Sequence, residues 1–464
     1  MLLCRKKIKF AKTYLPMKKA IAIVLAAMTA TGAYAQKSSL NNNTKSEYIS
    51  FFTNSINGVS DNIKKENRLS LKEIDNARSE VWECWRTAVN AIDEEKLPAS
   101  APANTRDTLL WHIPTHPEAD AVMPFHYLHK GDKPADGYPL FLYMHGSGPK
   151  DAEWNTGYHI CREFADGPSI YFIPQIPSEN HYRWAIQPQQ LAWEKLLRLA
   201  FVSDEINPDR IYFFGISEGG YGSQRLASYY ADYLAGAGPM AGGEPLQNAP
   251  CENLANTAFS LRTGERDYGF GRNYLTYVTA TTLDSLQAAH PGLYTHNVKI
   301  MPKMGHGINY EETTPWLAQY KRNTRPTYLY WENYDMYGRK RQGFGYLRAD
   351  EEHCAEGERT CYEMNIEGNT ITLDVKKVTY ETVQKLGTIP MTFKKTYTPA
   401  TEGKVTIFLS EDLIDFKKPV KIIVNGKEQI NKKIKPSARA MAQSCALFYD
   451  PRRIFPASVQ VTVE

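Results

Sequence analysis

Cysteine is scarce in this chain, and metal-binding spacings are missing. Seven cysteines occur among 464 residues, without a C-x-x-C pair or an H-E-x-x-H segment, so a metal site has little support. Basic residues exceed acidic ones by only four, 55 against 51, which argues against a nucleic-acid-binding surface. Cys354 and Cys361 are close enough in sequence to close a small loop, although spacing alone does not determine pairing.

Long apolar runs are also missing, apart from a short one near the N-terminus. The basic segment Met17-Lys18-Lys19 precedes an apolar run over residues 20–30 and the A-x-A sequence Ala33-Tyr34-Ala35. This order is typical of a signal peptide, and the run is too short to span a bilayer. We therefore predict a signal peptide over residues 1–35, with translation starting at Met17. The mature protein is expected to be exported, periplasmic or secreted, without a membrane span.

The chain is too long for one ordinary domain. Residues 36–103 are polar and then helical, with Ser70-Leu71-Lys72-Glu73 as a capping box. Residues 104–324 alternate strand and helix patterns, which predicts an α/β domain with a doubly wound, mostly parallel sheet. Residues 325–464 contain short strand patterns separated by turn signals, which predicts a small all-β sandwich.

Individual elements can be placed from apolar patterning. In the central part we predict a helix at 191–202 and strands at 108–113, 122–128, 138–144, 169–174, 211–214 and 297–301. In the last part we predict strands at 328–331, 370–375, 391–393, 405–409, 420–424 and 459–463.

A G-x-S-x-G segment joins a predicted strand to a predicted helix. Gly215-Ile216-Ser217-Glu218-Gly219 follows the apolar run Ile211–Phe214, and a helical pattern resumes at Gln224. A sharp strand-to-helix turn of this kind exposes its serine as a nucleophile. Ser217 could instead be an ordinary helix N-cap. The glycines on both sides favour the nucleophile.

An activated serine needs a base and an acid that orients the base. The first half of residues 258–267 has a strand pattern and the second half is predicted to be the loop that leaves it, so Asp267 is our candidate acid. Aspartate also favours turns for conformational reasons. Glu265, two positions away, and the more distant Asp284 remain alternatives.

His306 is our candidate base. It lies between two glycines on a loop that follows the strand predicted at 297–301. His290 precedes Pro291-Gly292 at an expected helix end, where histidine often serves as a dipole partner. His296 opens a strand. The strand-then-loop setting favours His306.

An oxyanion-binding loop is predicted upstream of the serine. The strand over 138–144 runs directly into His145-Gly146-Ser147-Gly148. Backbone N–H groups of Gly146 or Ser147, together with that of Glu218, would stabilise an oxyanion. The His145 imidazole is expected to pack structurally.

The motifs at 145–148 and 215–220, with Asp267 and Gly305-His306-Gly307, resemble the α/β-hydrolase superfamily. The resemblance covers less than half of the chain and points to secreted esterases of the feruloyl esterase, acetyl xylan esterase and polyhydroxybutyrate depolymerase kind. It implies a Ser-His-Asp acyl-enzyme mechanism without a cofactor. The implied substrate is an acetyl or hydroxycinnamoyl ester on a polysaccharide.

A polar and aromatic loop, 175–184, follows the strand predicted at 169–174. Ligands of open α/β sheets bind outside the carboxyl ends of the strands. Tyr182, Arg183 and Trp184 are therefore candidate substrate-binding residues. The competing interpretation is a surface loop held in place by its aromatic side chains.

Two other functions remain open at this point. Prolyl-oligopeptidase-type peptidases share the fold and the triad, so activity on amides would distinguish them from esterases. A catalytically silent carbohydrate-binding protein would not react with a fluorophosphonate probe. Neither interpretation involves nucleic acid, and the sequence does not predict an oligomeric state.

Overall fold

Continuous apolar strands form the centre of the computed structural model, which describes residues 38–98, 108–113 and 121–464. Every residue of Tyr138–Met144 and of Ser169–Pro174 is buried. Alternate side chains of the first strand enter two different cores, with Leu140 in one and Phe141 in the other. Both faces of this sheet are therefore covered, as parallel strands require. The predicted signal peptide lies outside the described residues.

Helices and strands alternate through the middle of the chain, and strands predominate after it. The α-helices are α1 Asn42–Ile56, α2 Ile74–Ala91, α3 Lys150–Glu163, α4 Gln187–Val202, α5 Glu218–Tyr229, α6 Arg272–Ala289, α7 Thr313–Leu317 and α8 Ala438–Phe448. The strands as far as residue 333 are β1 Leu109–His112, β2 Val122–Lys130, β3 Tyr138–Met144, β4 Ser169–Pro174, β5 Ile206–Ile216, β6 Gly236–Met240, β7 Ala258–Gly264, β8 His296–Met301 and β9 Tyr328–Asn333. The later strands are β10 Gly343–Phe344, β11 Leu347–Glu351, β12 Arg359–Glu367, β13 Thr370–Leu386, β14 Ile389–Pro399, β15 Lys404–Leu409, β16 Val420–Val424, β17 Lys427–Lys432 and β18 Ala457–Thr462.

An eight-stranded sheet has the order β1-β2-β4-β3-β5-β6-β7-β8. Strands β3 to β8 run parallel, whereas β2 is antiparallel to both β1 and β4. The predicted doubly wound, mostly parallel sheet is confirmed. Because parallel strands have their carboxyl ends at one edge, the loops after β3, β5, β7 and β8 meet there.

The last part of the chain forms two further sheets. One has the order β10-β11-β15-β18, and the other has the order β17-β16-β13-β12-β9 with β14 paired to β13. All six predicted strand patterns of this part fall within observed strands, apart from one residue at the end of β18. Helix α8 was not predicted, although Ser437 caps it by accepting a hydrogen bond from Ala440 N–H.

The N-terminal helices pack against the end of the chain. Helix α2 contacts both α1 and α8, and the predicted capping box is present, with Ser70 N–H donating to the Glu73 carboxylate at 2.8 Å. Residues 40–464 form one compact unit. The domain boundaries near residues 103 and 324 stay a prediction.

The described cysteines are free thiols. Both Cys354 and Cys361 are unpaired, so no disulfide closes the small loop that their spacing allowed. Cys361 is buried and lies near the Tyr330 hydroxyl, which donates to its sulfur at 3.4 Å.

Candidate active site

Ser217 lies in a strained turn between β5 and α5. Its backbone has φ 57° and ψ −111°, a region that non-glycine residues rarely adopt without a functional reason. The turn is tight because the residues two positions before and after Ser217 are glycines. A Cβ on Gly219 would lie 1.9 Å from the Met144 carbonyl oxygen, and one on Gly215 would lie 2.5 Å from the Gly219 carbonyl oxygen. Only glycine fits at these two positions.

Three side chains from different loops form one hydrogen-bonded chain. His306 Nε2 lies 2.9 Å from Ser217 Oγ, and His306 Nδ1 lies 2.7 Å from Asp267 Oδ2. Asp267 follows β7 and His306 follows β8. Since a carboxylate only accepts, Nδ1–H donates to Asp267, which leaves Nε2 free to accept the Ser217 proton.

The Asp267 carboxylate is buried and divides its oxygens between two partners. Oδ2 accepts from His306, while Oδ1 accepts from Arg272 Nε at 2.8 Å and from Arg272 Nη2 at 2.5 Å. Burial would raise the pKa of Asp267, but the hydrogen bonds from Arg272 and His306 outweigh it and lower that pKa below its ordinary value. Asp267 is therefore held ionised and oriented.

Arg272 was not predicted from the sequence. It opens α6, five residues after Asp267, and no known spacing connects an arginine at that position with a catalytic acid. Its Nη1 also donates to the Tyr221 hydroxyl at 3.1 Å, so the guanidinium bridges the start of α6 and helix α5. Only the folded loop brings it to the carboxylate.

The alternative acids and bases lie elsewhere. The Glu265 carboxylate accepts from Lys303 N–H at 2.7 Å. Asp284 pairs with His296 at 3.1 Å. The His290 ring packs against a tyrosine ring, with centroids 4.7 Å apart. We find none of these side chains in the hydrogen-bonded chain that ends at Ser217.

The loop after β3 passes close to Ser217. A Cβ on Gly146 would lie 3.4 Å from Ser217 Cβ, and Ser147 lines the same cavity as Ser217. Glu218 is the first residue of α5, where backbone N–H groups have no intrahelical acceptor. Gly146, Ser147 and Glu218 thus lie close to the serine.

This arrangement identifies the fold. A serine at a sharp turn after a central parallel strand, a loop after β3 beside it, and the chain order Ser, Asp, His are the features of one architecture. The protein has the α/β-hydrolase fold. The strand order of the eight-stranded sheet and its parallel core agree with it.

Buried His145 holds the loop after β3 from behind. Ile176 N–H donates to its Nε2 at 3.0 Å, and its Nδ1 lies 2.8 Å from the Gly146 carbonyl oxygen. Burial lowers the pKa of His145 to about 4, so the imidazole is neutral near pH 7. Its role is to fix the backbone of the loop.

The three candidate substrate-binding residues are placed in two different ways. The Tyr182 hydroxyl donates to the Gly146 carbonyl oxygen at 2.5 Å, and fully buried Trp184 donates from Nε1 to the His145 carbonyl oxygen at 2.9 Å. Both side chains support the loop after β3. Arg183 alone is largely exposed, and its guanidinium pairs with Glu218 at 3.0 Å.

Glu218 places a titratable carboxyl next to the serine. Its side chain is almost buried and pairs with Arg183. Burial, the largest influence, raises the pKa of Glu218 to about 7, aided by nearby Glu244 and opposed by Arg183. The charge of this side chain therefore changes close to neutral pH.

A cavity of about 670 Å³ opens above Ser217 and His306. One part is charged and polar, with the ion pair of Arg225 and Glu244 at 2.8 Å. Another part is lined by Tyr337 and residues 388–390, which follow the α/β part of the chain. In the described residues, no cluster of three or more histidine, cysteine or acidic side chains could hold a metal ion.

Comparisons with other proteins give distant structural matches. No protein-family model and no curated protein matches the sequence. A thermostable esterase is 22% identical with a TM-score of 0.37, over 47% of this chain and 64% of that one. A ferulic acid esterase is 16% identical with a TM-score of 0.34, over 46% and 96% of the two chains. A dipeptidyl aminopeptidase IV of Bacteroides ovatus, assigned that name provisionally, is 13% identical with a TM-score of 0.33, over 46% and 34%.

Proposed function

We propose that the protein is a serine hydrolase that cleaves carboxylic esters. The observation that carries the proposal is the hydrogen-bonded chain from Ser217 through His306 to Asp267, at a strained turn. A serine hydroxyl is a weak nucleophile unless a base takes its proton. The distances of 2.9 and 2.7 Å lie within the range that proton transfer requires.

The mechanism follows from these positions. Ser217 Oγ attacks the acyl carbon while His306 Nε2 takes its proton, and Asp267 stabilises the imidazolium. The carbonyl oxygen becomes an oxyanion that accepts from backbone N–H groups of Gly146, Ser147 and Glu218, each worth about 3–4 kcal/mol in comparable sites. The alcohol leaves with the proton from His306. Water, activated by the same base, then releases the acid and restores Ser217.

The proposed substrate is an acyl ester of a polysaccharide, with an acetyl or hydroxycinnamoyl group. The cavity supports this because it is open and because Arg183, Arg225 and Glu244 are among the side chains that line it. Such side chains suit hydroxyl-rich substrates better than long acyl chains. The resemblance to polysaccharide esterases points the same way.

We further propose that the protein is exported. The support is the basic, apolar and A-x-A order at the N-terminus. No helix in the described part of the chain is long and apolar enough to cross a membrane. The proposed chemistry requires no cofactor.

The first experiment compares wild type with Ser217→Ala on p-nitrophenyl acetate and butyrate, methyl ferulate, acetylated xylan and a proline-containing peptide amide. Loss of the serine should reduce kcat by about 10³-fold or more, as in comparable triads. A fluorophosphonate probe should label the wild type and not the variant.

The matched control is Ser223→Ala on the same helix. Ser223 is buried and donates to the Gly220 carbonyl oxygen, so its loss should leave labelling intact. Ester turnover that survives in Ser217→Ala would overturn the proposed nucleophile. Turnover confined to the peptide amide would replace the esterase with a peptidase.

A further inference from the structure

A long hairpin extends from the six-stranded sheet of the C-terminal part. Strand β13 has 17 residues and β14 has 11, joined by a turn at Gly387-Thr388 in which Gly387 has φ 60°. Over residues 370–378 β13 pairs with β12, but over residues 379–386 the structure pairs it with β14 alone. Side chains 381–386 are all exposed. The hairpin therefore projects beyond its own sheet.

The end of this hairpin reaches the catalytic cavity. Thr388, Ile389 and Pro390 line the same 670 Å³ space as Ser217 and His306. These residues are more than 80 positions beyond His306 in sequence. The end of the hairpin, which lies outside the α/β part of the chain, thus forms part of the cavity surface that a substrate contacts.

The hairpin end is anchored on the loop that carries the acid. Met391 is buried, and a Cβ on Gly271 would lie 2.4 Å from Met391 Cε. The Tyr274 hydroxyl donates to Gln384 Oε1 at 2.8 Å. Gly271 itself has φ 70°, which together with this close approach requires glycine. The contact is therefore packed, and the hairpin end has a defined position.

The cavity surface divides into an apolar part and a hydrogen-bonding part. Ile389 and Pro390 belong to the apolar part, with Phe270, whose side chain is 64% exposed. The hydrogen-bonding part includes Arg225, Glu244 and Asn248. There Asn248 donates to Glu244 Oε2 at 2.9 Å, and Arg225 donates to both Glu244 oxygens at 2.8 and 3.0 Å.

We infer that the tip of the β13–β14 hairpin is a specificity-determining wall of the active site, which selects esters whose alcohol part is a sugar ring. A pyranose ring presents C–H groups on its faces and hydroxyl groups at its edge. The first surface matches Ile389, Pro390 and Phe270, and the second matches the amide and carboxylate of Asn248 and Glu244. This inference rests on the proposed hydrolysis of polysaccharide esters and adds the part of the chain that recognises the sugar.

The test compares two esters that differ only in the alcohol. The ratio of kcat/KM for an acetylated methyl xyloside to kcat/KM for p-nitrophenyl acetate is measured in each variant. Ile389→Ala combined with Pro390→Ala should lower this ratio at least about tenfold, because the tip contacts the ring and not the acetyl group. Asn248→Ala, on a different element, should lower it similarly.

The control is Val383→Ala, which changes an exposed residue of the same hairpin that does not line the cavity. Its ratio should stay within about twofold of the wild type, since exposed substitutions away from the site have small energetic effects. In the Ser217→Ala background, calorimetric Kd for acetylated xylotetraose should rise at least about fivefold with the tip variant, which gives a readout besides turnover.

The outcomes separate the two proposals. Wild-type turnover of p-nitrophenyl acetate with an unchanged ratio in both lining variants would overturn the wall and keep the esterase. The same conclusion would follow if the wild type cleaved the aryl ester and no sugar ester. A wild type that cleaves neither ester and resists fluorophosphonate would overturn the esterase and the wall together. Circular dichroism of each variant identifies a loss of fold.

Discussion

At the scale of single residues, the site contains an arginine that holds the candidate acid, Asp267, in addition to Ser217 and His306. Arg272 donates twice to Asp267 Oδ1 and once to the Tyr221 hydroxyl. The carboxylate is therefore locked in the orientation in which Oδ2 meets His306. A rigid acid keeps the imidazole aligned with Ser217, which is what proton transfer needs.

We predict that Arg272→Met lowers kcat by about 10- to 100-fold, because small displacements of a catalytic group are costly. Arg272→Lys should recover part of the activity by restoring the charge without the two-pronged contact. Steady-state kinetics with p-nitrophenyl acetate measure both variants. The matched control, Arg266→Met, changes an exposed arginine of the same loop. A rise in KM with unchanged kcat would instead make Arg272 a substrate-binding residue.

Glu218 gives the folded state a specific pH dependence. Its folded pKa of about 7 exceeds the ordinary value of 4.5. Between these values the folded state keeps a proton that the unfolded state has lost, so stability falls as pH rises from about 4.5 to about 7. The loss is at most about 3.5 kcal/mol, since one pKa unit corresponds to about 1.4 kcal/mol.

We predict that Glu218→Gln removes this dependence and keeps the backbone N–H. Urea unfolding at about pH 4.5 and about pH 7 should show that the variant gains stability relative to wild type as pH rises. Glu163→Gln, which changes an exposed carboxylate at the end of α3, serves as the control. Parallel pH profiles for wild type and Glu218→Gln would contradict the raised pKa.

At the scale of elements, local pattern predicted most of the sheet and missed several helices, among them α3, α7 and α8. Strands β3 and β4 have the predicted bounds because they are continuous apolar runs buried on both faces. Helix α8 contains many alanines and has a capping serine at 437, both of which are local helix signals. It lies among strand patterns and was not assigned there. Its apolar face became identifiable only where it packs on α2.

The hairpin β13–β14 shows a second limit of element prediction. Its strands were expected at 370–375 and 391–393, but they extend to Leu386 and begin at Ile389. Most of the missing part of β13, residues 381–386, is exposed, so it lacks the alternation that marks a half-buried strand. Its pairing is stabilised by the neighbouring strand and by the packing of Met391. Both are tertiary contacts, which a local sequence pattern does not show.

At the scale of the whole molecule, a buried charge cluster joins the hydrolase sheet to the end of the chain. Asp232 accepts from Arg341 and from Arg453, and Asp450 accepts from Arg322 at 2.7 Å and from Arg453 at 2.7 Å. Burial would raise the pKa of Asp232, but Arg341 and Arg453 lower it below its ordinary value. Three of these pairs, Arg322–Asp450, Arg341–Asp232 and Arg453–Asp232, connect residues more than 100 positions apart.

We predict that Asp232→Asn destabilises the protein by about 3–5 kcal/mol, because it leaves buried guanidinium groups without a counter-charge. Urea unfolding with calorimetry measures the loss and shows whether residues 40–464 unfold in one transition. Asp204→Asn should cost no more than about 1 kcal/mol, since its pair with Arg86 is exposed. Two separate unfolding transitions, of which the one for the α/β part is unchanged in the variant, would argue for independent domains.

The sequence by itself determined the α/β-hydrolase sheet, the strained serine turn and the order of Ser217, Asp267 and His306. Each of these depends on apolar patterning or on glycines next to one another in the chain, which are local signals. Only the tertiary structure decided that Arg272 holds Asp267, that Tyr182 and Trp184 support the loop after β3, and that Ile389 reaches the cavity. Those contacts join residues whose spacing carries no periodic signal, because packing and burial bring them together after the elements have formed.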